Sequence, residues 1–153
     1  MIFINSSKQR LYYFEKDVLI FESTISTSSK GMGCLENSYK TPTGLHVIAS
    51  KIGQGYPIGT LFKNRKPTKH VIKDIPTDNN DYITSRIIRL SGLEDGINKG
   101  GNVDSYDRYI YIHGTPYSNK LGTRQSQGCI RMGDQDVIKL FSLVDVNTLV
   151  LID

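Results

Sequence analysis

Through the first thirty residues, apolar positions fall in short runs separated by polar turns, and such runs read as strands. Leu11 and Tyr13 precede, and Val18-Leu19-Ile20-Phe21 follow, the polar segment Glu15-Lys16-Asp17, which predicts a hairpin; Ile25-Ser26-Thr27-Ser28 continues the strand signal. Thr41-Pro42-Thr43-Gly44 is a turn whose φ is preset by proline, and Leu45-His46-Val47-Ile48-Ala49 reads as the next strand. From Gly53 to Asn80 the chain is polar and broken by Gly and Pro, predicting a long surface excursion of the kind that usually carries function. Thr84 to Leu90 predicts a strand ended by Ser91-Gly92. Tyr109-Ile110-Tyr111-Ile112-His113 is strongly β-prone and is closed by Gly114-Thr115-Pro116. Asp134 is placed to cap a short helix whose apolar residues are Val137, Ile138, Leu140, Phe141 and Val144, and Thr148 to Ile152 forms a closing strand. The expectation is a single domain over residues 1–153, mainly β, with one short helix near its C-terminus.

Composition narrows the class. A chain of 153 residues is the size of one domain and can bury about two-thirds of its unfolded surface. With 38% hydrophobic and 22% charged residues it is globular and not disordered. Nineteen basic residues against fifteen acidic give a net charge of +4, which mildly favours acidic partners. The basic residues are scattered and not interleaved with aromatics along one face, so nucleic acid is not expected as a partner. No run approaches the roughly 18 apolar residues of a membrane span. Cys34 and Cys129 are too few for a disulfide framework and read as free thiols. Two Cys and three His show no zinc-ligand spacing, so no metal is expected.

The chemistry concentrates at two places. His113 ends a buried-looking strand just before Gly114, and Cys129 follows sixteen positions later in Ser126-Gln127-Gly128-Cys129-Ile130-Arg131-Met132. A cysteine attacks as thiolate, so its proton must be lost through a lowered pKa or taken by a base. Histidine is the natural base at neutral pH. A glycine before the cysteine lets the backbone turn tightly and brings amide N–H groups near the sulfur, where an oxyanion would form. Arg131 adds positive charge on the same segment, suited to a thiolate or to a substrate carboxylate.

Taken together, His113-Gly114-Thr115-Pro116 and Ser126-x-Gly128-Cys129-Ile130-Arg131-Met132 resemble the signature of the L,D-transpeptidase catalytic (YkuD) domain. Thr41-Pro42-Thr43-Gly44 and the opening Gln9-Arg10-Leu11 are similar to that family as well, so the resemblance spans nearly the whole chain. Many members carry His where this chain has Gln127, a residue that is not the family's base. The resemblance implies a β-sandwich-like catalytic domain without cofactor. It implies Cys129 as nucleophile, His113 as general base and the Gly114 carbonyl as the group orienting the imidazole. Amides of Gly128 and Cys129 would form the oxyanion hole, with Ser126 and Arg131 shaping the loop and binding the donor peptide.

The implied substrate is a peptidoglycan stem tetrapeptide. Cys129 attacks at the L-centre of its third residue and the terminal D-Ala leaves. Water as acceptor gives an L,D-carboxypeptidase; the amine of a second stem gives a 3→3 crosslink. The polar residues after Ile4 do not make an export signal. That favours hydrolysis in cytoplasmic murein recycling, whereas an export segment ahead of these residues would favour crosslinking in the periplasm or cell wall. A non-catalytic murein-binding module would need neither Cys129 nor His113. Elsewhere, His46 reads as a structural histidine and Cys34 as structural or incidental, since no base adjoins it. His70, with Lys63, Arg65, Lys66 and Lys69, reads as a solvated face, with a basic lip for the carboxylates of an acidic stem peptide as the functional alternative.

Overall fold

A computed structural model describes all 153 residues. Ten strands and one α-helix follow one another as β1 (Ile2–Asn5), β2 (Arg10–Glu15), β3 (Val18–Ser26), β4 (Gly44–Ile52), β5 (Thr60–Lys63), β6 (Lys66–Val71), β7 (Ile83–Gly92), β8 (Tyr111–Thr115), β9 (Ile130–Gly133), α1 (Asp134–Leu143) and β10 (Leu149–Ile152). No helix is long and apolar enough to cross a membrane. The strands lie in one sheet in the order β4-β10-β1-β2-β3-β9-β8-β7-β5-β6. Because β4 also pairs with β7, eight of the ten strands close on themselves, and β5 and β6 extend from β7 as a flap. The sandwich-like packing is therefore made by a single curled sheet, which leaves no free edge around the ring.

The predicted hairpin is present as β2 and β3, turning through Lys16 and Asp17, both in the left-handed region. Gln9 ties its start to the next loop: its amide donates to the Thr27 hydroxyl at 2.7 Å and accepts from the Thr27 N–H at 2.8 Å. Alternate residues of each strand point inward, so Ile2, Ile4, Leu11, Ile25, Ile48, Leu90, Ile112, Ile130, Val150 and Ile152 make one core. The helix lies against β7, β8 and β9 and adds Val137, Leu140 and Phe141.

Three expectations change. Residues 53–80 are not an unbroken excursion: Lys63 to Lys66 form a tight turn with Asn64 and Arg65 at positive φ, and β5 and β6 pair across it. The polar, exposed β6 gives no apolar alternation to read. Tyr109 lies outside the strand that its neighbours form, because its φ of +55° is incompatible with an extended ladder. Asp134 is the first residue of α1 and caps nothing; Gly133 occupies the N-cap position. The carboxylate instead accepts from the Thr84 and Ser85 hydroxyls of β7.

Candidate active site

Parallel strands β8 and β9 bring the two chemical segments together. Ile112 pairs with Ile130 and His113 with Arg131, so Cys129, one residue before β9, sits beside Tyr111. Side chains two apart on a strand share a face, which places Tyr111, His113, Cys129 and Arg131 on one side of the sheet, with His113 diagonal to Cys129. This juxtaposition needs the β-prone run and the Gly-Cys segment to pair in one register.

The imidazole of His113 is fully buried. Its Nδ1 lies 2.7 Å from the Gly114 carbonyl oxygen, which can only accept, so Nδ1 carries the hydrogen. The neutral ring then presents a bare Nε2, and that atom is buried without a partner. Burial pushes the imidazole pKa below its ordinary value, while Asp81, the Gly114 carbonyl and Asp134 oppose the fall and Arg131 adds to it. The Cys129 thiol is pushed up to about 12 by burial, with the Tyr111 N–H, 3.4 Å from Sγ, working in the other direction. The resting pair is a neutral thiol beside a neutral imidazole. Of the two routes open from the sequence, this arrangement suits a base that takes the proton during attack better than a standing thiolate.

The Cys129 loop is held from within. Gly128 adopts a φ of +126°, open to glycine and costly for any other residue. The Ser126 hydroxyl donates to the Cys129 carbonyl at 2.6 Å and accepts the Gly128 N–H at 3.2 Å. Of the two amides expected to form an oxyanion hole, the Gly128 N–H is thus engaged by Ser126, and the Cys129 N–H has no acceptor within the protein. Ser126 is buried and serves the loop. Arg131, 5% exposed, is committed to Asp81 through an Nη2–Oδ1 ion pair of 2.6 Å, and its Nε is buried without a partner. Asp81, fifty residues away in sequence, was not among the expected site residues; no local motif marks it.

Cys129 lies where two depressions meet. One, of about 300 Å³, runs between the loops around Glu36 to Tyr39 and Asp107 to Ile110 and carries the carboxylates Glu36 and Asp107. The Arg108 guanidinium binds these loops together by donating to the carbonyls of Cys34 at 3.1 Å and Lys40 at 2.6 Å. The other, of about 380 Å³, lies beneath the β5–β6 turn and is lined by Asn64, Arg65, Asp81, Ile83 and Tyr111. Tyr109 borders both. Its carbonyl is 3.4 Å from Cys129 Sγ, and its ring lies between two guanidinium groups, Arg65 at 4.6 Å and Arg89 at 4.9 Å from the centroid.

The remaining candidates fall outside this arrangement. His46 is buried with both ring nitrogens bonded, to the Gly44 carbonyl at 3.0 Å and the Ser105 hydroxyl at 2.8 Å, which is the structural role read from the sequence. Cys34 and Cys129 are both free thiols. His70 is exposed on β6. No group of three or more His, Cys, Asp or Glu is placed to hold a metal ion.

The family model of the L,D-transpeptidase catalytic domain matches residues 1–152. The chain is 27% identical over 149 residues to a probable L,D-transpeptidase, YcfS, of Escherichia coli K12, covering 96% of this chain and 42% of that protein. The fold is that of a cysteine-to-serine mutant of the Enterococcus faecium L,D-transpeptidase, with a TM-score of 0.61, 15% identity, and coverage of 99% of this chain and 48% of the other. It is also that of L,D-transpeptidase 3 from Mycobacterium tuberculosis in complex with a faropenem-derived adduct, with a TM-score of 0.60, 17% identity, and coverage of 99% and 59%. The chain spans about half the length of the proteins it matches.

Proposed function

That the chain belongs to the L,D-transpeptidase catalytic-domain family is the premise from which we propose its reaction: acyl transfer through Cys129 on peptidoglycan stem tetrapeptides, with release of the terminal D-Ala. The observation that carries this reading is the imidazole of His113, locked by Gly114 into the tautomer whose bare Nε2 faces no partner on the face shared with Cys129. As the sulfur attacks the carbonyl of the third stem residue, the thiol proton passes to Nε2 and an S–C bond forms. The Cys129 N–H is the free donor for the oxyanion. The C–N bond to D-Ala then breaks, Nε2 returns its proton to the departing amine, and a thioester remains.

The second half-reaction depends on the acceptor. Water gives the L,D-carboxypeptidase product. A second stem amine gives a 3→3 crosslink, and the two depressions meeting at the sulfur favour this reading, since a hydrolase needs only one. Their charges sort the partners: Glu36 and Asp107 suit an incoming ammonium, and Arg65 suits the carboxylate of the donor peptide.

Mass spectrometry of the protein with a soluble stem tetrapeptide, alone and with a second peptide bearing a free amine, tests both halves. The expected result is Cys129-dependent loss of one D-Ala and a covalent peptide dimer. Loss of D-Ala without dimer would assign hydrolysis alone. Turnover that survives Cys129→Ala would overturn the reading.

A further inference from the structure

We propose that Asp134 is a positioning residue for the reaction, holding the Gly114 peptide and through it the His113 ring in line with Cys129. The starting point is a carboxylate with no role in capping its helix. Asp134 Oδ1 accepts two hydroxyl protons, from Thr84 and from Ser85, each at 2.6 Å. Both donors are fully buried. The Ser85 hydroxyl in turn accepts the Gly59 N–H at 2.9 Å, so the carboxylate gathers a chain of three donors.

This is where β7 departs from regular pairing. The register with β8 shifts between Thr84 and Ile87, and Ser85 holds a φ of +68°, unfavourable for a residue with a Cβ. Thr84 is the partner of Gly114 in that ladder. A Cβ on Gly114 would collide with the Thr84 carbonyl and lie 2.7 Å from Asp134 Oδ1, so the bulge and the carboxylate are packed directly on the peptide that orients the imidazole. An acidic side chain at the first residue of α1 also sits favourably at the helix N-terminus, which helps to hold Asp134 in place. A Ser-His-Asp triad places a carboxylate on Nδ1 itself; here a peptide carbonyl takes that hydrogen bond and the carboxylate stands one step behind it.

The groups facing His113 are Asp81 from the segment before β7, Arg131 from β9, Asp134 from α1 and the Cys129 thiol. Asp81 is neutralised by Arg131 at 2.6 Å. Asp134 has no cationic partner, so its charge favours the imidazolium that forms when the thiol proton is taken. It lines a separate depression with Thr115, Pro116 and Gly133, away from both that contain Cys129, and so is not placed to touch substrate.

The inference rests on the pairing of His113 with Cys129, and the test separates the two. The pH dependence of Cys129 alkylation by iodoacetamide is measured in wild type, His113→Ala, Asp134→Asn and Thr84→Val, together with steady-state D-Ala release. Asp134→Asn keeps shape and removes charge. It is expected to move the low-pH limb about one unit to more acid pH, and to lower kcat about tenfold with KM within about twofold. Thr84→Val keeps the charge and removes one tether, so kcat falls with the limb unmoved. An Asp134→Asn limb and kcat equal to wild type overturn the proposal, as does a loss shared equally between kcat and KM. Should Asp134→Asn fail to fold, an unchanged kcat in Thr84→Val overturns it. If His113→Ala leaves the alkylation profile unchanged, the pairing fails and the inference falls with it. If His113→Ala flattens the limb while Asp134→Asn matches wild type, the pairing stands and the inference alone fails.

Discussion

His113 and His46 are both fully buried, and burial is the main cause holding each pKa below its ordinary value. An unfolded histidine binds a proton near pH 6.5, whereas these two stay neutral to lower pH in the folded chain. Below about pH 6.5 the unfolded chain therefore binds more protons, and stability must fall as acid is added. The limit is about 1.4 kcal/mol per pH unit for each histidine. Asp78 and Asp104, both held below the usual carboxylate range, add their own loss only at lower pH. Urea midpoints at pH 7.5 and 5.5 should show the decline, and His113→Gln should remove roughly half its slope; an equal slope in that variant would refute the assignment. At this scale the sequence was informative where chemistry is local. The Nδ1 contact of His113 with Gly114 and the tight turn at Gly128 before Cys129 involve adjacent positions. Arg131 was read as free to bind substrate because its counterion, Asp81, is fifty positions away and only the fold brings it near.

Among the elements, the β2–β3 hairpin, α1 and β10 were legible because an alternating or helical apolar pattern and a polar turn marked each one. The β5–β6 hairpin was not, since Lys63 to Val71 is an outlying flap with little apolar surface to bury. Its turn nonetheless reaches the site: Arg65 donates to the Tyr111 hydroxyl at 3.2 Å and lies over Tyr109. Tyr109 misled for the opposite reason, a β-prone residue whose backbone is held left-handed just before the strand begins. That turn swings its half-exposed ring between the two depressions. Tyr109→Ala should open one depression to the other over Cys129 and let water compete with an amine for the thioester. The ratio of hydrolysed to crosslinked product is expected to rise severalfold, while total D-Ala release changes little. A product ratio equal to wild type would show that the ring is no partition.

The closed sheet divides labour around its circumference. Strands β1 and β10 lie side by side and complete the ring by joining β2 to β4, and Ile2, Ile4, Val150 and Ile152 fill the core beneath them. β8 and β9, further along the sheet, bring His113 near Cys129, one residue before β9, and are braced from behind by α1. Closure makes the two regions one cooperative unit for stability, yet no side chain of β1 or β10 borders either depression with Cys129. Ile4→Ala should therefore cost about 2–5 kcal/mol through the cavity it leaves, read as a lower urea midpoint, with kcat per folded molecule unchanged. Tyr109→Ala, at a half-exposed position, should cost no more than about 1 kcal/mol and alter the product ratio. With Ile4 in the core and the Tyr109 ring half-exposed at the clefts, the double variant should show the sum of the stability losses within about 0.5 kcal/mol. A larger coupling would mean that the far wall of the ring sets the shape of the clefts, and that the separation of scaffold from site drawn here is false.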